Sequence, residues 1–246
     1  MAGGLRLCWG PAGNILGLDI GMSDDMPDDS LIRLPLFPLN VVLFPQMPMP
    51  LHIFEERYKA MIGDCLERDA PFGIVLIKEG QEVGSPAEPV RIGTTARIVQ
   101  SEQLEGGRMN IMTRGERRFE VVDIYQRVPH VAAEIRYIEE ASGDDASEVI
   151  SEISPEYAEF LRMLTALSGG WTAEPDFPDE PVRLSYAVAS ALVTSIPLPT
   201  DIKQQLLETD TAKERLERLL PLVRRGNEAL REEVAKRNPF RGPRLN

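Results

Sequence analysis

Between Leu34 and Tyr58 the chain reads LPLFPLNVVLFPQMPMPLHIFEERY, and no other stretch narrows its possible folds as far. Prolines at 35, 38, 45, 48 and 50 interrupt a ribbon that is otherwise as apolar as a core strand. Proline removes a backbone donor and fixes φ, which confines it to edges, turns and bulges. The ribbon therefore reads as short strands, LIRLPLF and NVVLF on either side of Pro38, followed by a proline-rich turn over 45–50.

The next hundred residues set the class. EERYKAMIGDCLER places Tyr58, Met61, Ile62, Cys65 and Leu66 at helical spacing, one apolar face laid on a sheet. FGIVLI (72–77) reads as a buried strand. VRIGTTARIVQ (90–100) and RMNIMTRGERRFEVVDIY (108–125) read as two longer strands joined through an EGGR turn. HVAAEIRYI alternates, with Val131, Ala133, Ile135 and Tyr137 on one side. The acidic run EEASGDDASE (139–148) reads as a linker, because beyond it the apolar period changes from two to about 3.6.

Ser154-Pro155 has the form of a helix start, serine as N-cap and proline at the first helical position. Tyr157, Leu161 and Leu164 line that helix and Gly169 ends it. SGGWTAEPDFPDEP is a long loop. Leu184, Ala187, Val188, Ala191, Leu192 and Ser195 mark the next helix, which stops before Pro197. Thr200 caps a short helix to about Glu208. Asp210 caps a long one, carrying Leu216, Leu219, Leu220 and Val223, kinked at Pro221 and continued by Leu230 and Val234. The expected class is α+β: a β-rich unit with one packed helix (31–138), the acidic linker, and a C-terminal helical bundle (149–237). Residues 1–30 read as a disordered leader, so that a later methionine, Met22 or Met26, could be the true start; 238–246 reads as a flexible basic tail.

Composition removes several function classes. With 39 acids against 27 bases and a net charge of −12, the surface repels phosphate, which argues against nucleic acid. No apolar run approaches the roughly 18 residues of a membrane span, and the leader has no h-region of a signal peptide. The two cysteines, Cys8 and Cys65, make no disulfide framework, and the chain is expected in the cytoplasm. No Gly-Lys dipeptide occurs, which removes the P-loop. With His52 and His130 as the only histidines, an HExxH metal site is impossible, and a hydrolase would need one of them beside a serine or cysteine. Their places, and that of Cys65 on a buried helical face, read as structural. No catalytic residue, metal or cofactor is expected.

The remaining candidates are contact residues. Phe44, Met47 and Met49 belong to a turn that prolines hold extended, a preformed apolar surface for a client segment. Trp171 and Phe177 form a second apolar candidate in the long loop. Both sets have a plainer reading: methionines filling gaps beneath the turn, and aromatic rings packed back onto the helices. RGERRF (114–119) and FEERY allow Glu55, at a helix N-terminus, to pair with Arg117. The Leu216–Val234 stripe leaves room for self-association.

LPLFPLNVVLFPQMPMPLHIFEERYKAMI, IGTTARIV and GRMNIMTRGERRFEV together resemble the N-terminal substrate-binding domain of Lon proteases. KQQLLETDTAKERLERLLPLV is similar to that domain's helical end, so the resemblance runs from about Leu31 to Arg237. Its structural positions are Pro38, Asn40, Pro45, Glu55, Arg57, Tyr58, Gly93, Gly115, Arg117 and Phe119. It implies a PUA-like pseudo-barrel of strands, with the prolines at its corners, followed by a helical bundle. It also implies a non-catalytic module, since the ATPase and Ser-Lys peptidase modules of that family follow this domain and the sequence stops at Asn246. The expected role is binding of unfolded or apolar polypeptide segments, as an adaptor for a protease or a chaperone-like holder in protein quality control. Two rivals remain: an ATP-independent hydrolase or peptidase using a serine or cysteine with His52 or His130, and an RNA-binding PUA-like protein, which the charge opposes.

Overall fold

Four prolines of the N-terminal ribbon fall where a strand has a partner on one side only, and the fifth, Pro45, falls in a turn. The computed structural model describes residues 31–80, 88–170 and 175–237; the leader, the tail and Trp171 lie outside them. Strand β1 (Ile32–Leu39) pairs antiparallel with β6 (Val131–Tyr137) through Leu36, then parallel with β3 (Phe72–Glu79) from Leu36 onward. Leu36 alone has both neighbours, so Pro35 and Pro38 can each turn a donor-less nitrogen to the unpaired side. β1 therefore runs unbroken through Pro38, where two strands were expected, and Val41–Phe44 is irregular chain with Val42, Leu43 and Phe44 buried.

The expected turn over 45–50 is shorter and is followed by a strand. Met47 N–H donates to the Phe44 carbonyl at 3.1 Å, closing a turn with Pro45 in its second position and Gln46 at φ 67° in its third. Strand β2 (Pro48–Ile53) then pairs antiparallel with β5 (Met109–Gln126). Its ladder must run through Met49, Leu51 and Ile53, because Pro48 and Pro50 cannot donate; their nitrogens face the open edge and discourage a second chain from pairing there.

With β4 (Glu88–Gln103), the sheet order is β2-β5-β4-β3-β1-β6, and β6 returns to pair with β5. Five strands thus close a ring, with β2 as an annex on one half of β5. The lumen is filled by Leu34, Leu36, Val75, Phe119, Val121, Val131, Ala133 and Ile135, and the alternation expected for Val131–Tyr137 holds. Helix α1 (Glu56–Arg68) packs Tyr58, Met61, Ile62 and Cys65 against the outer face, with the Tyr58 ring stacked on Phe37 at 4.0 Å.

The helical half comprises α2 (Ser147–Leu167), α3 (Pro181–Ser195), α4 (Thr200–Glu208) and α5 (Ala212–Arg237). Its core, from Ile153, Phe160, Leu184, Leu192, Leu216, Leu219 and Val223, is continuous with Phe72, Ile74 and the α1 face. Helix α2 starts at Ser147, before the expected Ser154-Pro155. Pro155 is accommodated mid-helix because it and Ser151, whose carbonyl loses its partner, are both exposed to water. The early start is set by Asp145, whose Oδ1 accepts from Ser147 N–H at 2.9 Å. Helix α5 is capped by Thr211 rather than Asp210, with Thr211 Oγ1 accepting from Glu214 N–H at 3.2 Å, and passes through Pro221 as one helix. Among the described residues, no helix is long and apolar enough to cross a membrane.

Candidate functional site

The chemistry of this molecule gathers where β5 breaks register. Thr94 pairs with Arg118 and Ala96 with Gly115, so β5 carries one residue more than β4 across this interval. Such a bulge leaves backbone groups without ladder partners and re-aims side chains. The Thr95 hydroxyl satisfies it, accepting from Arg117 N–H at 3.1 Å and donating to the Arg117 carbonyl at 3.3 Å. Thr94 Oγ1, beside it, donates to the buried Leu43 carbonyl at 2.6 Å. Gly115 lies so close to the Pro45 turn that a Cβ on it would come within 2.2 Å of the Phe44 carbonyl oxygen. IGTTARIV and RGERRF thus act as one unit with the proline turn.

The bulge sends successive side chains in different directions. Phe119 enters the lumen. Arg118, 1% exposed, crosses to the helices, where Nη1 donates to the carbonyls of Leu207 at 2.6 Å and Thr209 at 2.8 Å. Those are the unpaired carbonyls at the end of α4, the negative pole of its dipole. Nε and Nη2 of Arg118 meet both oxygens of Glu140, at 2.8 and 3.0 Å. A second buried guanidinium, Arg215, joins from α5, donating to Leu206 and Thr209 carbonyls at 3.1 and 2.8 Å and to Ser185 Oγ at 2.8 Å, with Glu140 at 3.8 Å. Tyr186 Oη donates to Glu140 Oε1 at 2.6 Å, and its ring lies 4.2 Å below the Arg215 guanidinium. Burial raises the Tyr186 phenol well above its ordinary range and lowers Arg215 from its usual value. The acidic run read as a linker is therefore bound into the joint: besides Glu140, the Ala141 and Ser142 carbonyls accept the first N–H groups of α5 at 2.8 and 3.0 Å.

Above this joint lies a cleft of about 950 Å³ between the ring of strands and α3. Pro45 and Gln46 form one rim; Glu116, Arg117 and Tyr137 a wall; Val182, Arg183 and Tyr186 the opposite side, with Glu140 at the floor. The Arg117 guanidinium stacks 4.0 Å over the Tyr137 ring, whose phenol is raised by burial. Arg97 donates to Glu116 at 2.5 Å, and this bond holds its guanidinium above the ordinary value.

Of the sequence candidates, Pro45 and Arg117 reach this cleft. Phe44, Met47 and Met49 do not: they are 0%, 8% and 7% exposed and pack into the core beneath the turn, so their side chains offer no standing surface to a client. Phe177 packs on α2 with its ring 5.2 Å from Tyr157. Glu55 pairs with Arg57 at 3.0 Å, and Arg57 lies over Tyr58 at 4.5 Å. Gly93 and Phe119 belong to the lumen, Pro38 to β1 and Asn40 to the turn after it. Sequence reasoning missed Arg118, Glu140, Tyr186 and Arg215. The available signal was charge in the wrong place, an arginine beside Phe119 in a core strand and another beside the apolar stripe of α5.

Among the described residues, neither histidine has the partner a hydrolase needs. His52 Nδ1 is bonded to Asn110 Oδ1 at 2.8 Å, and His130 Nδ1 is buried with no hydrogen-bond partner among the described residues. The Cys65 thiol is pushed up to about 11, chiefly by burial, with Asp64 adding and Arg68 opposing. In a Cys8→Ser variant, Cys65 is expected to resist an aromatic disulfide reagent at about pH 8 until guanidinium unfolds the protein; rapid labelling of the native state would contradict its burial. No group of carboxylates, histidines and cysteines among the described residues could hold a metal ion.

Comparison with known proteins gives a consistent result. A family model of the ATP-dependent protease La (LON) substrate-binding domain matches residues 33–225. Lon protease of Anaeromyxobacter dehalogenans is 27% identical over 206 residues, 80% of this chain and 24% of that protein. Lon protease 2 of Myxococcus xanthus is 26% identical over 206 residues, with the same shares. The chain spans roughly a quarter of the length of these curated relatives. Among solved structures, the crystal structure of a Lon N-terminal domain protein from Xanthomonas campestris matches with a TM-score of 0.55 at 26% identity, covering 77% of this chain and 98% of that one. The N-terminal domain of the Mycobacterium avium complex Lon protease matches in fold, with a TM-score of 0.58 at 20% identity, covering 78% and 98%.

Proposed function

This chain belongs to the Lon substrate-binding domain family, and on that premise we propose that it is a non-catalytic polypeptide-binding module, an adaptor or holder in protein quality control. The observation that carries the reading is the cleft, whose rim and wall come from the same motifs that carry the family likeness, Pro45-Gln46 and Glu116-Arg117. Its lining mixes apolar and aromatic groups (Pro45, Ile138, Val182, Tyr137, Tyr186) with charges held in place by neighbours, the composition expected of a specific but adaptable site. The closed ring with β2 as an annex supports a PUA-like relationship for the N-terminal half, and α2, α3 and α5 with their shared core support a bundle for the other.

A photo-crosslinking benzoylphenylalanine tests the placement. Installed at Arg183, it is expected to capture a reduced, carbamidomethylated lactalbumin, which stays unfolded. Installed at Ala235, about 30 Å further along α5 from the joint at Arg215, it is expected to capture little. Equal yields at both positions would remove the cleft as the site. A protein that neither captures this client nor slows its aggregation would remove the function.

A further inference from the structure

The charges lining the cleft balance, Arg97, Arg117 and Arg183 against Glu116, Glu139 and Glu140, so its apolar and aromatic groups decide what it holds. One end of the described chain lies beside it. Ile32 pairs with Ile135 in the antiparallel ladder of β1 and β6, which puts Leu31 level with Arg136, one residue short of Tyr137 in the cleft wall. Neighbouring strands are about 4.8 Å apart, so the thirty residues that precede Leu31 join the fold at the lip of the cleft. Leu31 is itself an apolar side chain left 48% exposed. Those thirty residues hold two apolar stretches, Leu5–Trp9 and Ile15–Ile20. The second, ILGLDI, has four apolar side chains in six residues, and ten residues separate it from Leu31. Ten residues reach at most about 35 Å, ample for a cleft of about 950 Å³.

We infer that the cleft is covered by this chain's own segment Ile15–Ile20, which a client must displace. The inference rests on the polypeptide-binding reading above and adds an internal competitor to it. The isoleucine and leucine side chains of the segment cover Pro45, Tyr137, Val182 and Tyr186, and the tether supplies the affinity that six residues lack. A tether of this length holds a segment at roughly millimolar effective concentration. A segment with a Kd of about 0.2 mM in trans then occupies the cleft about five-sixths of the time and weakens a client roughly sixfold. Leu5–Trp9 lies about twice as far along the chain, which lowers its effective concentration roughly threefold and favours Ile15–Ile20.

The test compares the full chain with its Leu16→Asp, Leu18→Asp variant. In a crosslinking arm, each carries benzoylphenylalanine in place of Arg183 and is irradiated without client. The full chain is expected to join position 183 to residues 15–20 of the same molecule, an adduct that peptide mapping locates and that the variant lacks. In a binding arm with Arg183 intact, fluorescence anisotropy of labelled unfolded lactalbumin should show the variant binding about fivefold more tightly. A synthetic peptide of residues 13–22 should displace lactalbumin from the variant with a midpoint of about 0.2 mM. Equal affinity of the two proteins for lactalbumin, or an adduct that is absent or maps to residues 5–9, overturns the inference and leaves the polypeptide reading standing. Adducts between two molecules assign the cleft to a second copy and overturn it likewise. An adduct at residues 15–20 with lactalbumin bound by neither protein keeps the segment in the cleft and removes the polypeptide reading.

Discussion

Arg118→Met is expected to destabilise the protein by about 3 kcal/mol, a fall in Tm on the order of 10 °C for a chain of this size. Methionine fills the space but donates nothing. The Leu207 carbonyl, which takes a 2.6 Å bond from Arg118 at the end of α4, is then left without that donor in a buried site. The Thr209 carbonyl keeps the bond from Arg215, and Glu140 is 27% exposed and keeps Arg215 at 3.8 Å, so the loss falls short of that for stripping a fully buried pair. Glu140→Gln should act through the same network, leaving two buried guanidiniums without their shared carboxylate. Because Arg118 and Glu140 touch, the two substitutions should be non-additive, with the double variant more stable than the sum of losses by about 1 kcal/mol. Urea titration of the four proteins measures this. An Arg118→Met loss below about 1 kcal/mol, the scale of an exposed pair, would mean that the joint is held by apolar contact alone.

How much of this was legible in the sequence depends on the range of the interaction involved. Helix α1 was readable because its buried face repeats within thirteen residues, and β6 because its alternation is local. Pro35 and Pro38 marked places with one strand partner, but only the register shows why: Leu36 is where β1 changes neighbours, and no local pattern encodes that. Ser154-Pro155 misled because a helix-start signature and an exposed mid-helix proline look alike over two residues. The burial of the Met47 and Met49 side chains was illegible for a related reason: Met49 lies on the inner face of β2 and Met47 just before its start, a face that could not be assigned while the segment read as a turn. The cleft was the least legible feature. Pro45, Arg117, Glu140 and Arg183 come from four separate segments, and their meeting requires the bulge opposite Thr95, a one-residue mismatch between strands that only the pairing reveals.

Phe119→Ala is expected to cost about 4 kcal/mol, and the reason it should be so large also predicts the behaviour of its neighbour Gly93. The Phe119 ring is fully buried in the lumen of the five-stranded ring, and a Cβ at Gly93 would stand 2.9 Å from it, 2.5 Å from Val75 Cγ1 and 2.5 Å from the Ile74 carbonyl oxygen. Gly93→Ala alone should therefore cost about 2–3 kcal/mol as an overpacked site. If the ring were the whole obstacle, Phe119→Leu would rescue Gly93→Ala. It should rescue only in part, because the Ile74 oxygen belongs to the ladder between β3 and β4 and cannot swing away as a ring can. The combined Gly93→Ala, Phe119→Leu protein is accordingly expected to remain less stable than Phe119→Leu alone, by at least about 1 kcal/mol. Equal stability of those two proteins in guanidinium titration would show that β3 and β4 can separate locally, and with that the closed ring would lose its claim to be the rigid frame that holds Glu116 and Arg117 at the cleft.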